Sequence, residues 1–290
     1  MDEVHPSFLA WMRTAGDQVA GVLLDVDGTL ERGGVALPRA AETLDWLHLV
    51  AKPFVLLTND GNHSPEEKAF SLTQAGLPVK PEDIVSCSDA IVEYTSDHGL
   101  AGRKVFVMGD LGTPCYAERA GLKPVRKIAE LADCAGVIVG EQNYDWEPVF
   151  NAVINYFIRN PESFLIVPNP DMYWPGKRGE IRIGAGGKAR FIKMVLAEYG
   201  VELEPLYLGK PNPAIYRRAF HHLAGRGLID ARTPATALWG VGDSLRSDIT
   251  GANRMGHSSA LVLTGITPRR QWESLPAGDE RCPTLVFEGL

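Results

Sequence analysis

The sequence predicts an α/β protein built on an open parallel sheet and interrupted by a second, inserted α/β domain. Short, continuous apolar runs alternate with stretches of helical spacing, the pattern of strands buried on both faces and joined by crossover helices. Four of these runs end on polar residues of complementary chemistry. Between the second and third of the four, the strand-helix alternation restarts in a long block whose removal leaves the remaining sheet continuous.

The elements follow in order. Ala20-Gly21-Val22-Leu23-Leu24 is the first buried strand, and it opens into Asp25-Val26-Asp27-Gly28-Thr29. Pro38 to Leu49 carries helical spacing through Ala41, Leu44, Leu47 and Val50. Pro53 introduces the second run, Phe54-Val55-Leu56-Leu57, which closes on Thr58-Asn59-Asp60-Gly61. Pro65 to Ala75 reads as a helix ended by Gly76, and Ile84-Val85-Ser86 as a further core strand.

The insert is expected over residues 86–187, leaving 1–85 and 188–290 as the core. It holds strands at Val105–Met108, Gly136–Val139 and Phe164–Val167, with helices at Tyr116–Ala120 and Glu147–Ile158. The segment Pro168 to Gly176 is rich in turn formers and aromatics and reads as a loop, either plain turn chemistry or a pocket lining. Gly184-Ala185-Gly186-Gly187-Lys188-Ala189 fits a loose dinucleotide pattern before a helix at Ala189–Tyr199. Because it falls where the insert rejoins the core, a hinge needing permissive backbone angles is the expected use of these glycines. The third run, Leu206-Tyr207-Leu208-Gly209, is expected as a core strand closing on Lys210-Pro211; the fourth, Ala237 to Gly242, opens into Asp243-Ser244-Leu245-Arg246-Ser247-Asp248.

Bulk properties narrow the function. The 290 residues carry a formal net charge of -7, which argues against nucleic acid or an anionic membrane as the main partner. Residues 1–20 hold no signal-peptide hydrophobic region, and no later stretch reaches transmembrane length, so a cytoplasmic protein is expected. Four scattered cysteines, Cys87, Cys115, Cys134 and Cys282, read as reduced thiols. His221-His222 has no third metal ligand nearby and reads as a solvated or capping pair.

Parallel sheets bind ligands beyond the carboxyl ends of their strands, so the four polar ends are expected at one rim. Asp25 and Asp27, two residues apart, suit a division of labour in which one carboxylate attacks a phosphoryl group and the other transfers protons. Two anions repel a phosphate by several kcal/mol at about 4 Å even at an effective dielectric of about 20. Asp243 answers that repulsion by joining Asp25 in holding Mg²⁺. Lys210 adds a compact positive charge, and Thr58 a hydroxyl beside the amides of Asn59 and Asp60. Asp248 either orients ligands from behind or caps a helix.

With these residues in place, the chain resembles the haloacid dehalogenase (HAD) superfamily over most of its length. Asp25-Val26-Asp27-Gly28-Thr29 matches the first motif, Thr58 the second, Lys210 the third, and Gly242-Asp243 through Asp248 the fourth. The long insert and Leu208-Gly209-Lys210-Pro211-Asn212-Pro213 are similar to the class IIA subgroup of NagD-like and para-nitrophenyl phosphatases. The resemblance implies a Rossmann-like core with an α/β cap and Mg²⁺-dependent phosphatase activity. It also implies Asp25 as nucleophile, Asp27 as acid/base, and Asp243 and the main-chain carbonyl of Asp27 as metal ligands. Asp60 departs from the pattern, since many relatives carry Asn there; its carboxylate must face away, pair with a cation or read a substrate hydroxyl.

The expected function is hydrolysis of a small phosphomonoester, such as a sugar phosphate or nucleotide, through an aspartyl phosphate. Asp171, Tyr173, Trp174 and Arg182 of the insert are the expected selectors of the leaving group. A phosphotransferase of the same fold and a non-catalytic phosphate-binding scaffold are the alternatives. A homodimer is left open.

Overall fold

The computed structural model describes residues 4–175 and 180–290. The chain forms two compact units, one of Met1–Thr58, Pro65–Val85 and Lys210–Leu290, the other of Asn59–Ser64 and Ser86–Gly209. The second unit begins its main segment at Ser86, as the insert expected from sequence does, runs on to Gly209 and adds the separate segment Asn59–Ser64.

The first unit is organised by a seven-stranded sheet. Its order is Val4–His5, Leu285–Phe287, Ser258–Val262, Leu238–Gly242, Gly21–Leu24, Phe54–Thr58 and Ile84–Ser86. Pairings from the first of these through to Phe54–Thr58 are parallel. Leu238–Gly242, Gly21–Leu24 and Phe54–Thr58 are buried at every residue, which is why their sequences run apolar without alternation. The helix Ala40–Leu49 lays Ala40, Leu44 and Leu47 into the same core as Val22, Leu24, Leu56 and Val241, one helical face against one sheet face. Gly76 ends the helix Pro65–Gln74 region at φ +86, the left-handed conformation expected of it. A two-residue hairpin, Glu31–Arg32 against Val35–Ala36, follows the first acidic loop. Gly33 and Gly34 make its turn at φ 61 and 84, the positive pair that matches hairpin twist.

The second unit has its own five-stranded parallel sheet, ordered Leu206–Tyr207, Phe164–Val167, Gly136–Val139, Lys104–Met108 and Lys123–Val125. One expectation is corrected here. The third apolar run pairs with Phe164–Val167, Leu206 opposite Ile166 and Tyr207 opposite Val167, and is not a strand of the core sheet. An apolar run carries no record of which sheet it will edge, and only two residues of this one are paired.

The helix beginning at Ala185 explains the glycines differently from a hinge. Gly184 caps the helix Ala185–Glu198 with φ -82, and neither Gly186 nor Gly187 has a positive φ. A Cβ on Gly184 or Gly186 would instead run into the carbonyl oxygens of Asp171 or Pro170. Close backbone approach, not backbone freedom, requires them. The helix then buries Ala185, Ala189, Ile192 and Leu196 in the second unit's core. The segment expected as a loop contains a strand, Tyr173–Pro175, antiparallel to Ile181–Ile183; Gly176 lies outside the described residues.

Cys87, Cys115 and Cys134 are buried and Cys282 half-buried, all as free thiols. His222 Nε2 lies 2.8 Å from the Glu82 carbonyl oxygen. No described helix is long and apolar enough to cross a membrane.

Candidate active site

The first unit gathers five of the residues singled out by sequence around the ends of its central strands. Asp25 directly follows the Gly21–Leu24 strand, and its backbone N–H donates to the Val241 carbonyl at 2.8 Å, so two neighbouring strands fix its place. Its side chain is buried. Lys210 Nζ donates to Asp25 Oδ1 at 2.6 Å and to Asp248 Oδ1 at 2.8 Å, while Thr29 Oγ1 donates to Asp25 Oδ2 at 3.0 Å. Asp243 follows the Leu238–Gly242 strand, and its Oδ2 accepts the Ile266 N–H at 2.6 Å. A Cβ on Gly28 or Gly265 would strike the Asp243 carboxylate, so both positions must stay bare for it to lie there. Thr58 is buried at the end of its strand.

Asp248 sits in the helical turn Leu245–Ile249, whose N-cap is Ser244. Its Oδ2 accepts the Ser244 N–H at 3.0 Å and its Oδ1 accepts Lys210. One side chain thus closes the start of the turn and pairs with the ammonium.

Asp25, Asp243 and Asp248 each bring a carboxylate oxygen to within 4.8 Å of the others. Among the described residues, the ammonium that pairs with this group is that of Lys210, on Asp25 and Asp248. Burial, then repulsion from Asp248, pushes Asp25 well above the usual carboxylate range. The same two causes push Asp243 up to about 7. Burial works to lower Lys210, but Asp248 and Asp25 outweigh it and hold the ammonium well above its ordinary value. A close group of oxygen donors with uncompensated negative charge is what a hard divalent cation binds. All three carboxylates come close enough together to contribute an oxygen to such an ion.

The Asp27 side chain stands apart from this group, 61% exposed, with Oδ2 at 3.5 Å from Lys68 Nζ. The carboxylates that gather are Asp25, Asp243 and Asp248; the part expected of Asp27 in holding a metal falls to its main-chain carbonyl and does not involve this side chain. Glu31 is buried; burial first, and then the neighbouring Asp27 carboxyl group, raise its pKa. Thr29, Glu31, Lys68, Gly265 and Ile266 were missed by sequence reasoning. Thr29 had a signal, following Asp-x-Asp-Gly directly; the others reach the site through the hairpin, a helix and a distant loop.

Asn59, Asp60 and the insert candidates lie in the second unit. Asn59 Nδ2 donates to Asp171 Oδ2 at 3.2 Å. The Asp60 carboxylate accepts the Asn62 N–H at 3.1 Å and meets the His63 ring Nδ1 at 2.9 Å, so it has an imidazole partner. Trp174 and Arg182 are directly opposed across the antiparallel pair, with the guanidinium 5.3 Å from the ring centroid. Tyr173 is exposed.

A family model described as haloacid dehalogenase-like hydrolase matches residues 22–123, and one described as HAD-hydrolase-like matches 207–290. The chain is 28% identical to the ribonucleotide monophosphatase NagD of Escherichia coli over 259 residues, 89% of this chain and 93% of that one. It is 28% identical to an acid sugar phosphatase of Staphylococcus aureus over 276 residues, 94% of this chain and 96% of the other. Among solved structures, a glycerol phosphate phosphatase from Mycobacterium tuberculosis in complex with magnesium superposes with a TM-score of 0.77 at 26% identity, covering 93% of this chain and 75% of that one.

Proposed function

The chain belongs to the haloacid dehalogenase superfamily as a class IIA hydrolase, and on that premise we propose that it is a Mg²⁺-dependent phosphatase working through an aspartyl phosphate on Asp25. Its substrates are small phosphomonoesters; a sugar, polyol or nucleoside monophosphate is the proposed class, and the cytoplasm the proposed setting. The observation that carries the reading is the buried Asp25 carboxylate, held from one side by Lys210 and from the other by Thr29, within an acidic trio.

Chemically, an Asp25 oxygen attacks phosphorus as the bond from phosphorus to the ester oxygen breaks. Asp27 gives its proton to the departing alkoxide. In the second half Asp27 takes a proton from water, the water oxygen attacks phosphorus, and the bond from phosphorus to Asp25 breaks, returning the carboxylate. Lys210 holds Asp25 in its attacking orientation and opposes charge on the phosphoryl oxygens, with Thr58 and the amides of Asn59 and Asp60 as the proposed phosphate donors. Asp25, Asp243 and the main-chain carbonyl of Asp27 would hold Mg²⁺, which when bound neutralises the acidic trio and draws the phosphate in. Asp171, Tyr173, Trp174 and Arg182 are the proposed selectors of the leaving group.

Turnover of p-nitrophenyl phosphate tests the reading. Activity should vanish in chelator, return with Mg²⁺ and return poorly with Ca²⁺, whose longer bonds and higher coordination favour bidentate capture of the nucleophile. Asp25→Asn should abolish it with the fold intact. Full turnover by metal-free protein, or by Asp25→Asn, rejects the reading.

A further inference from the structure

Asp27 is the exposed carboxylate of the constellation, yet buried ionisable groups from two other elements converge on it. Lys68, in the first half of the helix Pro65–Gln74, is 9% exposed, and its Nζ lies 3.5 Å from Asp27 Oδ2. Glu31, on the first strand of the Gly33-Gly34 hairpin, is 8% exposed, and its carboxyl group neighbours that of Asp27. The hairpin is itself tied to the acidic loop: Gly28 N–H donates to the Glu31 carbonyl at 2.8 Å, and the backbones of Asp27 and Glu31 form a β-bridge. Gly34 N–H donates to Glu31 Oε2 at 2.6 Å, which fixes the Glu31 side chain in turn.

Burying an ammonium and a carboxyl has a desolvation cost that an ordinary surface ion pair avoids. Here both are directed at one solvent-facing aspartate. Left alone, an exposed Asp side chain exchanges rotamers freely, whereas a proton donor must hold one orientation toward the oxygen it serves. We infer that Lys68 and Glu31 are positioning residues for Asp27, clamping one edge of its carboxyl group so that the other edge stays directed at the leaving oxygen. The inference rests on the acid/base reading of Asp27 given above and goes beyond it by naming what holds that group.

A clamp on a proton donor has a signature that a structural or phosphate-binding role lacks. Loss of the donor hurts esters whose leaving group needs a proton and spares those whose leaving group departs as a stable anion. The experiment compares kcat/KM for glycerol phosphate, an alkyl ester, with kcat/KM for p-nitrophenyl phosphate, in excess Mg²⁺. For Lys68→Met and Glu31→Ala we expect a loss of roughly tenfold or more on glycerol phosphate and less than about threefold on p-nitrophenyl phosphate, inside the hundredfold to ten-thousandfold range of general acid-base catalysis. Lys68→Arg and Glu31→Gln, which keep the charge at one position and the size and polarity at the other, should recover most of the glycerol phosphate activity. The ratio of two substrates on one preparation does not depend on its folded fraction, so partial unfolding of a variant leaves the test intact. Equal losses on both esters, or none on either, overturn the inference. Asp27→Asn in parallel separates it from its premise: if that variant also shows no leaving-group dependence, the acid/base assignment itself fails.

Discussion

Lys210 is the residue on which the buried charges balance. It makes ion pairs with Asp25 and Asp248, and all three side chains are almost fully buried. Removing one partner of such a set strands the rest, at a typical cost of about 3–5 kcal/mol. Lys210→Met should therefore lower stability by that order in denaturant melts and abolish turnover, and Mg²⁺ should raise the variant's melting temperature by more than it raises that of the wild type. An equal response to Mg²⁺ in the two proteins would show that Lys210 is not what offsets the trio. Asp25, Asp243 and Lys210 were legible in the sequence because each directly follows a continuous apolar run. Glu31 and Lys68 were not, because a single charged residue in a hairpin or on a helix carries no pattern until the fold brings it to Asp27.

At the scale of elements, the helix Ala185–Glu198 shows how a correct boundary signal was attached to the wrong cause. Its glycines were visible, but the strand and turn they pack against, Pro170 to Pro175, read only as loop. Gly186→Ala should destabilise the protein by about 1–3 kcal/mol, the usual cost of overpacking, because its methyl would meet the Pro170 carbonyl; an unchanged melt would mean the segment yields without cost. The same helix buries Lys188, whose Nζ donates to the carbonyls of Gly140 and Glu141 and sits 5.1 Å from the ring centroids of Tyr144 and Trp146. Burial lowers its pKa to about 8. A lysine whose folded pKa lies below its unfolded value contributes stability at high pH that is lost as pH falls through the folded pKa. Relative to wild type, Lys188→Met should thus look most favourable near pH 7, and that advantage should shrink as pH rises from about 8 to 10. Denaturant melts at the two ends of that range check the sign, and a constant difference would contradict it.

For the whole molecule, the parallel-sheet core and the presence of a second α/β unit were legible from strand-helix alternation alone. The edge strand Leu206–Tyr207 and the pair around Trp174 and Arg182 were not, since short runs do not declare a partner. With a net charge of -7, the chain must attract a phosphate locally, a part proposed for Lys210 together with a bound Mg²⁺. Choice among phosphate esters is expected to come from the second unit. Arg182→Ala or Asp171→Ala should change relative kcat/KM among esters by tens-fold, about 1–3 kcal/mol for a lost polar contact, with the metal requirement unchanged. Uniform losses across a panel of esters would send the search for selectivity elsewhere. The central claim, that Asp25 carries the phosphoryl group, is tested most directly by trapping it. Asp27→Asn should still accept phosphate from p-nitrophenyl phosphate, whose leaving group needs no proton, but should release it slowly for want of a base. Acid quench and peptide mapping should then find an acid-stable, hydroxylamine-labile phosphoryl group on Asp25, with a burst of one nitrophenolate per active site. Steady turnover with no burst and no phosphorylated Asp25 would contradict the account.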